Sequence, residues 1–111
     1  MNVQQRDIIL IPFPFSDFSA QKVRPAVVVS NDQFNTSSED VIICAMTSNL
    51  SKDQYTVLIE KKDLEEGNLY DDCCVKVESI LRADKKIVMK KIGKINLPSH
   101  QQIIKKIVTL F

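Results

Sequence analysis

The apolar residues of this chain come in short, unbroken, β-branched runs, and that pattern constrains its fold more than any other feature. Residues 7–15 read Asp-Ile-Ile-Leu-Ile-Pro-Phe-Pro-Phe, residues 26–29 Ala-Val-Val-Val, and residues 40–48 Asp-Val-Ile-Ile-Cys-Ala-Met-Thr-Ser. Such runs, rich in Val and Ile and bounded by polar segments, read as buried strands. Residues 55–60 form a fourth strand. Residues 73–77 and 78–83 give two more, or one long bent strand, and residues 90–95 a short amphipathic strand around Gly93. Prolines limit the placement. Pro12 and Pro14 confine the end of the first strand to an edge or bulge, and Pro25, with no N–H for a ladder, is expected at the first residue of its strand. Residues 31–39, with an Asn-Thr-Ser-Ser cluster, and the charged residues 61–68 read as connections.

The period changes at the end. Ile103, Ile104, Ile107, Val108 and Phe111 fall on one helical face, with Pro98 near its start, where a missing N–H does no harm. Six or seven short strands and one helix in 111 residues suit a single domain over residues 1–111. It is expected to be mainly β with a C-terminal α-helix, a small antiparallel barrel with the helix packed on one side.

Composition excludes several function classes. With only Gly67 and Gly93, no Gly-rich phosphate loop forms, which argues against nucleoside-triphosphate and dinucleotide enzymes. The apolar runs are too short to span a bilayer and the N-terminus lacks an apolar leader, so the cytoplasm is expected. The cysteines, Cys44, Cys73 and Cys74, are odd in number, and neighbours on a strand point to opposite faces. Buried thiols are expected, with no metal and no cofactor, since His100 stands alone and no ligand spacing occurs. Charge is segregated. Residues 1–84 carry 8 Lys/Arg against 14 Asp/Glu, and residues 85–111 carry 7 Lys and no acid. That basic end, with Lys90, Lys91 and Lys94, suits RNA phosphate or an acidic partner; a solvated face is the plainer alternative.

The polar residues worth weighing for chemistry sit at strand boundaries: Arg24 before one buried strand, Thr47 and Ser48 after another. Rigid strands can hold such side chains at a shared rim. Position alone favours the plainer reading, a surface ion pair for Arg24 and a turn for Thr47-Ser48.

The run Ile11-Pro-Phe-Pro-Phe-Ser-Asp17 and, after a short loop, Lys22-Val-Arg-Pro-Ala-Val-Val-Val-Ser-Asn31 resembles the N-terminal signature of the MazF/PemK toxin family. Ala45-Met-Thr-Ser48 resembles the family's second motif, and Val75-Lys-Val-Glu-Ser-Ile80 and Lys91-Ile-Gly-Lys-Ile95 its later strands. The likeness covers nearly the whole chain. It implies an SH3-like barrel that dimerises. The implied activity is cleavage of single-stranded messenger RNA, inhibited by a cognate antitoxin whose disordered segment fills the RNA groove. The family's catalytic Arg and Thr fall on Arg24 and Thr47, with Ser48 and Lys22 beside the phosphate. Two departures stand out. Arg6-Asp7 occupies the place of the family's usual Gly-Asp, and Arg82 is displaced by one residue from the Arg of its Ile-Arg-Thr pattern. One residue flips a strand side chain to the other face, which puts a third catalytic group in question.

Arg and Thr suffice for a plausible chemistry, because the attacking 2′-OH is tethered to its own phosphate and a guanidinium fork can grip the phosphorane. Asp17 is a candidate base, and Phe18, with Phe13, Phe15, Phe34, Tyr55 and Tyr70 behind it, a candidate stacking platform for an unpaired base. Two other readings are a non-catalytic member that binds RNA or an antitoxin, and a gyrase poison like the related CcdB group. The absence of Trp weighs against the latter.

Overall fold

A computed structural model describes residues 2–13, 22–50 and 53–111. Seven strands, β1 (Asp7–Phe13), β2 (Lys22–Val28), β3 (Asp40–Thr47), β4 (Thr56–Ile59), β5 (Leu64–Gly67), β6 (Cys73–Asp84) and β7 (Lys90–Ile95), form one curled antiparallel sheet in the order β4-β6-β3-β2-β1-β7-β5. Two helices accompany it, α1 (Asp32–Ser37) and α2 (Leu97–Val108). No helix among the described residues is long and apolar enough to cross a membrane.

Both faces of the central strands are covered. On one face Ile8, Val27, Cys44, Met46 and Val75 pack beneath Ile103 of α2. On the other, Ile9, Ile11, Val28, Val41 and Ile43 pack with Ala83 and Val88. Strands buried on both sides carry no polar alternation, which is why β1 to β3 are legible as unbroken apolar runs. The prolines obey the ladders, though not as the sequence suggests. Pro25 lies inside β2, opposite Leu10, rather than at its first residue. The β2–β3 ladder covers only Ala26–Val28, so the missing N–H falls where β2 has run past its partner. Pro12 likewise lies beyond Asp7–Leu10, the part of β1 that pairs with β7.

Two elements, α1 and β5, depart from the sequence reading, and of the two readings left open for residues 73–83 the single bent strand is the one found. Residues 32–37 form α1 rather than a turn: Asn31 caps it by accepting from Phe34 N at 2.8 Å, and buried Asn35 donates to Ser30 O at 2.9 Å. The connection over 61–68 contains β5, which pairs with β7. Gly67 there has φ +80, and a Cβ would lie 2.2 Å from Ile92 O, so only glycine fits. Residues 73–84 are one strand, β6, bent where its register on β3 shifts. At the other end Asn96 caps α2 by accepting from Ser99 N at 3.0 Å, beside Pro98 in the first turn. All three cysteines are free and buried.

Arg6 has φ 77, in the left-handed region that costs a side-chain-bearing residue about 1–2 kcal/mol. It is fastened there. Its amide donates to Val28 O at 2.8 Å, its carbonyl accepts from Ile95 N at 3.0 Å, and its guanidinium donates to Ile95 O at 3.0 Å and pairs with Glu65. The hydrogen bond and charge of Arg6 hold the Glu65 carboxyl below its ordinary pKa. Arg6→Ala keeps the strain and loses the contacts, whereas Arg6→Gly loses the contacts and relieves the strain. The glycine variant should therefore melt higher than the alanine variant, by about 4 °C for each kcal/mol of strain relieved. Equal melts would show that no strain is stored at Arg6.

His100 is 6% exposed on α2. Burial first, and the charge of Arg6 second, lower its pKa below the ordinary 6.5. The folded chain thus keeps a neutral imidazole, while the unfolded chain takes up a proton as pH falls through 6.5. The stability this residue contributes is complete above that value and declines below it, until the lowered native pKa is passed. Thermal melts from about pH 7.5 to about pH 5 should show a decline that His100→Gln flattens. An identical slope in the variant would assign the decline to other groups.

Candidate functional site

The β2–β3 register pairs Ala26 with Ala45. Beyond the end of that ladder, Arg24 and Thr47 lie two residues further along their strands, where the strand ends face the same opening. The two side chains line one groove of about 440 Å³, floored by Phe13, Ala45 and Met46. A shallower depression of about 330 Å³ continues it past Lys22 and Ser48. Arg24, Thr47, Ser48 and Lys22 are thus brought together from two strand ends far apart in sequence.

The opposite wall comes from β6. Cys44 pairs with Ile80, but Met46 pairs with Val75, so β6 places several residues where β3 places one. This bulge turns Lys76, Glu78 and Ser79 toward the groove. Lys76 Nζ lies 3.8 Å from Glu78 Oε1. None of the three was singled out in the sequence. Their signal was the alternation of polar Lys76 and Glu78 with buried Val75 and Val77.

Other residues named from sequence lie elsewhere. Asp17, Phe18 and Phe15 are outside the described residues. Arg82 is not in the groove: it sits opposite Ile42 in the ladder, donates through Nε to Asp40, and leaves Leu81 on the groove wall. Tyr55 lines a depression beside α2, and Phe34 is half-buried on α1. Tyr70 is fully exposed at a separate cup.

Several lysines of the basic C-terminal segment are engaged within the fold. Asp7 is 1% exposed, and Lys91 and Lys94 approach its Oδ1 at 3.1 and 3.9 Å. Lys91 also meets Glu66 at 3.2 Å, and Lys94 donates to Gln4 at 3.0 Å. Burial alone would lower the Lys91 pKa, but its hydrogen bonds to Asp7 and Glu66 outweigh that and raise it. Lys85 and Lys106 donate to backbone carbonyls. The expectation that Lys90, Lys91 and Lys94 act together toward RNA is therefore corrected for two of the three. Lys91 and Lys94 neutralise a buried carboxylate, because Asp7 opens β1 directly beside β7.

Burial disfavours the thiolate form of all three cysteines. Burial, then the charge of Glu78, pushes Cys44 up to about 12, and burial likewise raises Cys73 and Cys74. Among the described residues no three His, Cys, Asp or Glu gather as metal ligands. The groove offers a guanidinium, two hydroxyls at the end of β3, and a Lys–Glu pair. That set can grip an anion, stabilise growing negative charge and exchange one proton.

Residues 4–111 match the family described as PemK-like, MazF-like toxin of type II toxin-antitoxin system. A search of curated protein sequences gives no match. Among solved structures, the chain is similar to MazF from Deinococcus radiodurans, with a TM-score of 0.80 and 15% identity over 99% of this chain and 96% of that one. It is similar to the MazE-MazF complex of the same organism, with a TM-score of 0.81 and 13% identity over 99% and 96%. It also resembles an endoribonuclease from a mycobacterial species, with a TM-score of 0.77 and 15% identity over 98% and 90%.

The lysines of β7 separate by role. Lys91→Gln strips a partner from buried Asp7 and should cost about 1–3 kcal/mol in a denaturant melt, with Lys94 limiting the loss. Lys90→Gln should leave the melt unchanged. An unaltered melt for Lys91→Gln would return that lysine to the solvated surface.

Proposed function

The chain belongs to the PemK-like, MazF-like toxin family of type II toxin–antitoxin systems, and we propose that it is an endoribonuclease toxin that cuts single-stranded RNA without a metal. The observation that carries this reading is the meeting of Arg24 and Thr47 in one groove. The ribose 2′-oxygen attacks the adjacent phosphorus. A P–O2′ bond forms, the P–O5′ bond breaks with the leaving 5′-oxygen taking a proton from water, and the products are a 2′,3′-cyclic phosphate and a 5′-hydroxyl. Arg24 spans two phosphate oxygens with its planar fork, and Thr47 donates to a non-bridging oxygen as charge builds on it. Glu78, the carboxylate among the described residues lining this groove, takes the 2′-OH proton, the role considered from sequence for Asp17. Lys76, 3.8 Å away, orients the Glu78 carboxylate.

An acidic segment of a cognate antitoxin silences the toxin by filling the same groove. The MazE-MazF complex of Deinococcus radiodurans, with its shared fold, supports a partner of that kind. The chain acts as a homodimer. Sedimentation at micromolar concentration should show a species near twice the 12.6 kDa chain mass. A second reading, a non-cleaving binder of RNA or antitoxin, is favoured by Leu81 standing on the groove wall where Arg82 does not reach.

Cleavage separates the two. Purified protein should cut long single-stranded RNA in EDTA and leave cyclic phosphate ends. Arg24→Ala and Glu78→Gln should each slow single-turnover cleavage at least about 10²-fold. Arg24→Lys should be impaired too, since a point charge lacks the fork. Thr47→Val should slow cleavage while the melt holds. Loss of cutting in EDTA, 3′-hydroxyl products, or full activity in a folded Arg24→Ala protein would each overturn the reading.

A further inference from the structure

Beside the groove, at the open mouth of the barrel, lies a cup of about 340 Å³ whose walls are mostly apolar. Leu10 forms part of it. Its neighbours Ile9 and Ile11 are fully covered, whereas Leu10 is only half-buried, because the core stops short of this end. Pro25 and Ile92 stand on either side, and Leu69 closes the rear. The rim is polar, with Ser48, Asn68 and Asp71, and Tyr70 stands over it fully exposed. Pro25, Ser48 and Cys73 belong both to this cup and to the depression holding Arg24 and Thr47. Lys90 marks the far side.

The spacing has a repeat. Pro25, Leu10 and Lys90 are successive cross-strand partners over β2, β1 and β7. Two strand spacings put Pro25 and Lys90 about 10 Å apart at Cα. Arg24 lies on the other face of β2, and the depression that shares Pro25, Ser48 and Cys73 with the cup joins the two around the strand edge, so a strand gripped at Arg24 can pass a base into the cup and its next phosphate to Lys90. Small-molecule sites have this make-up, apolar walls with a few polar groups fixing orientation, and barrel mouths are a common place for them.

We propose that this cup is a nucleobase pocket: the nucleotide beside the cut inserts its unpaired base between Leu10, Pro25 and Ile92, under the ring of Tyr70, with its next phosphate at Lys90. The inference rests on the ribonuclease reading above and adds the group that selects the sequence cut. Tyr70 supplies the stacking face, and Asn68 and Asp71 present an amide and a carboxylate to the base edge, the groups that discriminate one base from another. Tyr70 is a specificity residue, not a catalytic one, and its side chain supports nothing in the fold.

The test uses two readouts on the same RNA. One is binding of a short single-stranded oligonucleotide made uncleavable by 2′-deoxy substitution. The other is the nucleotide preference around cuts in a random-sequence RNA. Tyr70→Ala should weaken binding about tenfold, the loss of one stacked base. It should also raise KM with little change in kcat and flatten the preference at one position beside the cut. Tyr70→Phe should retain all three properties, and both variants should melt like the parent. If the parent cuts RNA and Tyr70→Ala cuts with the same KM and preference, the pocket assignment is overturned while the ribonuclease reading stands. If the parent binds the oligonucleotide through Tyr70 but never cuts, the pocket stands and the ribonuclease reading falls.

Discussion

Everything in this molecule hangs on β2 being sandwiched, by hydrogen bonds on both edges and by apolar side chains on both faces. Ala26, Val27 and Val28 have no exposed surface at all. Their ladder to β1 runs the length of the strand, and their ladder to β3 covers three residues. Interiors are packed like crystals, so a strand held this way cannot slip or rotate. Its N-terminal half leaves the β3 ladder at Pro25, which has no N–H to leave orphaned. A rigid strand that emerges at a rim can hold a functional side chain in fixed register, and Arg24 stands at that point.

The rim is supplied from both sides by irregularities of the sheet. On one side the β6 bulge turns Lys76 and Glu78 inward, where regular pairing would have sent the polar residues of that strand along the sheet. On the other, β1 ends its pairing with β7 at Leu10 and opens the mouth of the barrel. Bulges and strand ends are where a sheet can aim side chains without losing its core. Active sites on barrels gather there for that reason.

A second anchor is electrostatic. Asp7 begins β1 in the interior, and a buried carboxylate is tolerable only with its charge matched and its oxygens bonded. Lys91 and Lys94 match the charge, and Gln4 N donates to Oδ2 at 2.8 Å. The same strip carries Arg6, whose left-handed backbone is held by Glu65 and by β7. Glycine would adopt that backbone freely, so Arg6-Asp7 in place of Gly-Asp exchanges conformational ease for an ion pair. Two of the lysines that make the C-terminal segment basic, Lys91 and Lys94, are thereby drawn into the fold, while Lys86, Lys90 and Lys105 stay exposed.

By itself the sequence determined the central strands, the C-terminal helix and the family. β1, β2 and β3 are legible because burial on both faces leaves only apolar residues, and α2 because its apolar residues repeat at helical spacing. The pairing of Arg24 with Thr47 was legible only as a motif. Their spacing in sequence says nothing of their spacing in space until the ends of β2 and β3 are seen to line one groove. α1 and β5 were not legible, because Asn31, Asn35, Glu65, Glu66 and Gly67 hold them through caps, ion pairs and a positive φ, and these leave no periodicity. Only the tertiary structure decided that Glu78 faces the groove, that Arg82 turns away to Asp40, and that Lys91 and Lys94 face Asp7. Each of these depends on a register shift or a partner from a distant strand. A side chain's face is set by hydrogen bonds its own neighbours in sequence do not make.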